Sequence, residues 1–174
     1  MSAQPHIRDS LQGVIAYYAQ NPDQALSSDK EAGAVIEDGL RVRATGPDGQ
    51  VLVCDMPKGL GGGATAPSPG WMMRAALANC EAVMIALRAA QLGVELASLE
   101  VRVTSISDDR GMLGMDDSKP AGPLSMAISV RIGAPGVPAE TLHEIIEWAA
   151  KHSPVGETLT RLMPTEYATE IVRQ

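Results

Sequence analysis

The sequence predicts an α+β fold. Three observations carry that expectation. Apolar and charged residues alternate in paired segments around residues 40–54 and 99–132. A long, apolar, Ala-rich stretch separates those pairs. Two helical stripes follow the second pair, so the order reads αββ, loop, helix, ββ, two helices, β, with helices gathered between neighbouring hairpins. The chain has 174 residues, the length of one domain. Residues 1–30 read as a helical appendage and 31–174 as a single domain.

In residues 7–20, Ile7, Leu11, Val14, Ile15 and Tyr18 recur at steps of three and four, a helical stripe that Asn21-Pro22-Asp23 breaks. Residues 33–55 read as β structure. Leu40-Arg41-Val42-Arg43-Ala44 has period two, Gly46-Pro47-Asp48-Gly49 is turn chemistry, and Val51-Leu52-Val53-Cys54 returns as the second arm of a hairpin. Residues 56–70 are rich in Gly and Pro. They lack the Gly-Lys-Ser/Thr ending of a phosphate loop, so a tight connector is the simpler reading.

Residues 71–92 are apolar around most of a helical circumference, as in a buried central helix. Gly93 stands where a left-handed cap favours glycine. Residues 99–106 and 124–132 alternate as strands, joined by a polar loop over 108–122. Pro138 opens a helix through 151 with the stripe Leu142, Ile145, Ile146 and Ala149. Ser153-Pro154 interrupts it, a short helix covers 155–162, and 167–172 alternates as a last strand.

Composition narrows the function. Hydrophobic residues make up 45% and charged residues 20%, which excludes a wholly disordered chain. The net charge of −7 disfavours nucleic acid as a partner. Arg74, Asn79, Glu81 and Arg88 interrupt the apolar helix, so no membrane association is expected. Two cysteines are too few for a secreted disulfide framework, and MSAQPHIRDS carries no apolar signal segment. A cytoplasmic location is the expectation. No Cys/His spacing suits a metal, and neither a metal nor a cofactor is expected. There is no Phe, and nine Met must fill the core or line a groove.

Cys80, in Ala78-Asn79-Cys80-Glu81, is the first candidate nucleophile. A buried Cys packs as a small hydrophobe; a reactive one needs a cation beside it. Arg41 and Arg43 are the candidate cations, because Arg74 and Arg88 fall on other sides of the same helix.

The motifs in order are Leu60-Gly61-Gly62-Gly63, Pro67-Ser68-Pro69, Ala75-Ala76-Leu77-Ala78-Asn79-Cys80, Leu92-Gly93-Val94 with the strand after it, and Ala149-Ala150-Lys151-His152-Ser153-Pro154-Val155. Together they resemble the OsmC/Ohr family over roughly residues 38–172. The resemblance implies an OsmC-like fold: antiparallel sheets around a long buried central helix, in an intertwined homodimer with active sites at the subunit interface. It also implies reduction of organic hydroperoxides by two cysteines, the first forming a sulfenic acid and the second a disulfide.

Cys80 matches the first cysteine. Ser153 occupies the position of the second, and Gly70 that of the Glu expected at the helix start. Arg41 or Arg43 matches the activating Arg. A hydroxyl cannot form a disulfide, so the resemblance implies a one-cysteine thiol-dependent peroxidase in oxidative stress defence, resolved by an external thiol reductant. Ser153 or His152 would contact the thiol, and Met72, Met73 and Met84 would line an apolar pocket for an organic hydroperoxide. Cys54 is the alternative resolving cysteine. The rival function is capture of a small apolar ligand at the dimer interface. A hydrolase built on Ser153 or Cys80 with His152 has the residues but no nucleophile elbow.

Overall fold

The computed structural model describes residues 4–172. Helix α1 spans Gln4–Gln20. Strands β1 (Gly33–Asp38), β2 (Arg41–Thr45) and β3 (Val51–Cys54) form an antiparallel sheet in that order. Helix α2 spans Pro69–Gln91. Strand β4 (Ser98–Ile106) pairs with β5 (Ser125–Gly133) along its whole length, from Ser98 opposite Gly133 to Ile106 opposite Ser125. A one-turn helix, α3 (Asp109–Met112), sits between them in the segment expected to be a loop. Helices α4 (Ala139–His152) and α5 (Pro154–Thr160) complete the order. The architecture is the expected mixture of helices and antiparallel sheets.

Helix α2 is fixed at both ends by local chemistry. The Ser68 hydroxyl accepts from the Trp71 amide, and Pro69 fills the first helical position, where no amide partner is needed. At the other end Gly93 adopts φ +71°. Its amide bonds to Ala90 and that of Val94 to Ala89, which closes the helix on a left-handed residue.

The core lies where α2 crosses α4 over the inner face of the β4–β5 sheet. Ile85, Ala89, Val94, Ile145 and Ala149 are buried there, with Leu99, Val101, Val130 and Ile132 packed against them. Ala89 and Ala149 let the two helices approach closely. In β4 the half-buried residues are Leu99, Val101, Val103 and Ser105, so the period-two pattern is realised as one covered and one open face.

Three expectations change. First, the N-terminal sheet has three strands rather than two. Glu37 is skipped in the β1–β2 register between Ile36 and Asp38, a bulge that breaks the alternation by which a strand is recognised. Second, no strand forms over 167–172, and Tyr167, Ile171 and Val172 are exposed. A strand needs a partner edge, and this segment pairs with neither sheet of its own chain. Third, α2 is not buried all round. Leu77, Glu81, Ile85, Ala89 and Ala90 face α4, α5 and their surroundings, while Ala76, Asn79 and Val83 are exposed. One chain has too little surface to enclose an apolar cylinder on every side.

Helix α1 packs on α2 and half-buries Ile7 and Leu11, leaving Val14, Ile15 and Tyr17 open. Among the described residues no helix is long and apolar enough to cross a membrane.

Candidate functional site

The Ser153-Pro154 pair ends one helix and begins the next. Proline disfavours helical geometry in the residue before it, and Ser153 accordingly has ψ 111°. The same proline is the first residue of α5, and Ser153 is that helix's N-cap, accepting from the Gly156 amide at 3.1 Å. This corner lies against the middle of α2. Ser153 is fully buried, and its hydroxyl donates to the Cys80 sulfur at 3.3 Å. Cys80 is half-buried. Two residues 73 positions apart are thus brought together by a helix break, with the serine's one hydroxyl hydrogen aimed at the sulfur.

Glu81 lies beside them. It is 4% exposed and has no hydrogen-bond partner among the described residues. Its carboxylate ends against Gly156: a Cβ at that position would lie 3.0 Å from Glu81 Oε1 and 3.0 Å from Ser153 Oγ. A residue without a side chain is what fits between the two oxygens. In the sequence Glu81 reads only as a charge that interrupts an apolar helix, because charged residues on a helix usually face water.

Among the described residues no other candidate hydrogen-bonds to the side chains of this pair. His152 is exposed, stacks on Trp148 with ring centroids 4.1 Å apart, and has Nδ1 2.7 Å from the Trp148 carbonyl oxygen. The Arg88 guanidinium lies over the same indole, 5.0 Å from its centroid. Arg74 bonds to Ser105 at 3.1 Å. Met72, Met73 and Met84 are half-buried, and Met84 packs on the core. A groove of about 540 Å³ beside α2 is lined by Trp71, Arg74, Ala75 and Asn79 with Arg102 and Thr104 of β4, and by none of the three methionines. Cys54 and Cys80 are both free, and Cys54 sits on β3 opposite Val42.

Arg41 and Arg43 share one face of β2 and both hold Glu37. The bulge puts Glu37 between them: Arg41 Nε is 3.1 Å from Oε2, and Arg43 Nε bonds to Oε1. The Arg43 bond, with Arg41 adding to it, holds the Glu37 carboxyl below the usual carboxylate range. The sheet that carries this pair makes no extensive contact with α2 within the chain.

The Gly-rich loop closes around a second carboxylate. Asp55, 3% exposed, accepts from the amides of Met56, Gly63 and Thr65 and from the Thr65 hydroxyl. Those bonds, led by Thr65's, pull its pKa down to about 2. A Cβ on Gly62 would strike the Met56 carbonyl at 2.0 Å, and one on Gly63 would meet Asp55 Oδ2 at 2.9 Å. The loop amides are therefore spent on the chain's own carboxylate, which agrees with the connector reading of residues 56–70. Thr65 also accepts from Arg41 Nη1 at 2.6 Å, so loop and sheet are tied together. No periodic pattern announces such a network. Its one sequence signal is an Asp followed within ten residues by Gly and Thr. Among the described residues no group of His, Cys, Asp and Glu could hold a metal ion.

With this geometry in view, comparison with known proteins is informative. The sequence model of a family described as OsmC-like protein matches residues 61–168. No curated protein matches the chain. Among solved structures, an OsmC-like protein from Mycoplasma pneumoniae superposes with a TM-score of 0.66 at 19% identity, covering 78% of this chain and 89% of that one. An organic hydroperoxide resistance protein from Legionella pneumophila gives 0.56 at 17% identity, covering 77% and 90%. One from Elizabethkingia anophelis gives 0.54 at 18%, covering 76% and 89%. At these identities the structural likeness is one of fold.

Proposed function

The chain belongs to the OsmC-like protein family, and on that premise we propose that it is a one-cysteine, thiol-dependent peroxidase acting on organic hydroperoxides at Cys80. One observation carries the reading. The buried Ser153 hydroxyl donates to the Cys80 sulfur at the position where the family resemblance calls for a second cysteine. A hydroxyl at 3.3 Å from the sulfur supports a two-residue site whose second member is an alcohol in place of a thiol.

The reaction follows from that exchange. The Cys80 thiolate attacks the outer peroxide oxygen; an S–O bond forms, the O–O bond breaks, and the alkoxide leaves as the alcohol after taking a proton from solvent. Cys80 is then a sulfenic acid. Ser153 carries no sulfur to condense with it, so an external thiol does so, releasing water and forming a mixed disulfide. A second thiol molecule displaces Cys80 and leaves as the oxidised reductant. Ser153 holds the sulfur through its hydrogen bond and stays chemically unchanged.

A homodimer completes this reading. The open side of α2 at Ala76, Asn79 and Val83 and the unpaired segment 167–172 are surfaces that a second copy would cover. Arg41 and Arg43, on a sheet with no extensive contact to their own α2, would then serve the partner's Cys80. Met72 and Met73, half-buried at the start of α2, would face an apolar substrate, residues 31–174 would carry the whole site, and the setting would be cytoplasmic.

Capture of a small apolar ligand is the second reading, favoured by the groove between α2 and β4. Treating the reduced protein with one equivalent of an alkyl hydroperoxide in the presence of dimedone separates the two. A dimedone adduct on the Cys80 peptide supports the peroxidase, and an unmodified Cys80 with hydroperoxide remaining refutes it.

A further inference from the structure

We infer that Glu81 holds the proton that the Cys80 thiol gives up, and that the Ser153 hydroxyl carries it between them. The inference rests on Cys80 as the reacting thiol and adds the group that ionises it. Leu77, Glu81, Ile85 and Ala89 follow one another every four residues along the buried line of α2, and Glu81 is the one charged residue in it. At 4% exposure it has neither a hydrogen-bond nor an ion-pair partner among the described residues. Buried polar groups are normally hydrogen-bonded, so one left open signals a use beyond packing, which an apolar side chain would serve better.

The opening leads to the sulfur. Glu81 Oε1 and Ser153 Oγ each lie 3.0 Å from the point where a Cβ on Gly156 would stand, so the two oxygens flank the side chain that glycine lacks. Ser153 Oγ in turn lies 3.3 Å from Cys80 Sγ. A hydroxyl has one hydrogen and two lone pairs. Here the hydrogen goes to the sulfur and one lone pair accepts from the Gly156 amide, which leaves one lone pair open. An ionised Glu81 can only accept and has nothing to offer that lone pair. A protonated Glu81 is a donor and completes it.

The three groups thus have two arrangements. In one, the Cys80 S–H donates to Ser153 Oγ and the Ser153 hydroxyl donates to the Glu81 carboxylate. In the other, protonated Glu81 donates to Oγ and the hydroxyl donates to the thiolate. Passing from the first to the second breaks the S–H bond and forms an O–H bond at Ser153, while the old O–H bond there breaks and one forms at Glu81. One negative charge moves from carboxylate to sulfur, and no charge enters or leaves the site. After the thiolate has reacted, Glu81 releases its proton to solvent, which balances the one the alkoxide takes up. The Glu81–Ser153 contact tightens in the reacting complex, as catalytic hydrogen bonds commonly do.

The test is the rate of Cys80 alkylation by iodoacetamide, a neutral reagent, in the freshly reduced full chain, read by peptide mass. Glu81→Gln keeps a donor for Ser153 but cannot take up a proton, and is expected to slow alkylation about tenfold, as is Ser153→Ala. The double variant should be no more than about twofold slower than Ser153→Ala alone, because the proton path is already cut. An unchanged rate in Glu81→Gln means that Glu81 is only a hydrogen-bond partner, and a faster rate that it only places negative charge beside the sulfur. Losses that multiply in the double variant mean that Glu81 acts without Ser153. Each of these three results overturns the inference. Glu81→Leu, paired with Ser153→Ala in the same way, serves if Glu81→Gln fails to fold.

Alkylation needs no peroxide. A wild-type protein that leaves hydroperoxides intact while showing the expected rates would refute the peroxidase and leave the relay standing. Hydroperoxide turnover with an unchanged alkylation rate in Glu81→Gln would do the reverse.

Discussion

Ser153 Oγ donates a hydrogen bond to Cys80 Sγ across 3.3 Å while accepting one from the Gly156 amide. The hydroxyl is thus fixed twice, once as a helix cap and once as a sulfur contact. Its one hydrogen is committed to the sulfur, and its burial keeps water from competing.

Ser153→Cys should restore a closed thiol cycle. The Ser153 oxygen lies 3.3 Å from the Cys80 sulfur, so a sulfur placed there starts only about 1.3 Å beyond the S–S bond length of about 2.05 Å. One equivalent of hydroperoxide is expected to consume both thiols and give an intramolecular disulfide on peptide mapping. Retention of a free thiol at position 153 with Cys80 oxidised to sulfinic acid would count against the geometry.

Ser153→Ala should have two separable effects. Losing the cap of α5 costs about 1 kcal/mol, read as a lower urea midpoint. Losing the hydrogen bond to the thiolate should slow Cys80 oxidation about tenfold or more, since bonds to charged groups contribute about 1.5–3 kcal/mol. Equal oxidation rates would mean that the contact is structural only.

The sequence displayed the fold well and the site unevenly. The β4–β5 pair, α2 and α4 follow simple periodicities, so their residues announce them. Strand β1 does not, because its bulge at Glu37 interrupts the pattern. The 167–172 alternation is a genuine strand signal, but the segment pairs with neither sheet of its own chain. The Cys80–Ser153 contact joins residues 73 apart, and no local pattern encodes it; only the resemblance pointed there. The Asp55–Thr65–Arg41–Glu37 network lies in a loop and a bulge, where side-chain bonds replace periodicity.

Stability should fall in acid partly through Asp55. Its folded pKa of about 2 lies below the ordinary 3.8. The folded state therefore binds fewer protons in that interval, and stability increases with pH across it. The contribution is complete above about pH 4 and is lost as pH falls toward 2. Asp55→Asn, whose amide cannot accept from all four donors, should remove this part of the acid dependence and speed amide exchange at Gly63 and Thr65. An unchanged acid profile would contradict the assignment.

Ile85→Ala tests the packing that supports the site. Ile85 is fully buried where α2 meets α4, and its truncation should cost about 2–5 kcal/mol, read by urea unfolding at fixed protein concentration. A loss below about 1 kcal/mol would mean that α2 is not anchored there.

The central claim is that one thiol, without a second cysteine, turns over organic hydroperoxide. The most direct measurement is stopped-flow consumption of an alkyl hydroperoxide with excess external thiol, comparing the wild-type protein, Cys54→Ser and Cys80→Ser. The account predicts full turnover with Cys54→Ser and none above background with Cys80→Ser. Consumption that survives Cys80→Ser, or that disappears with Cys54→Ser, would contradict it.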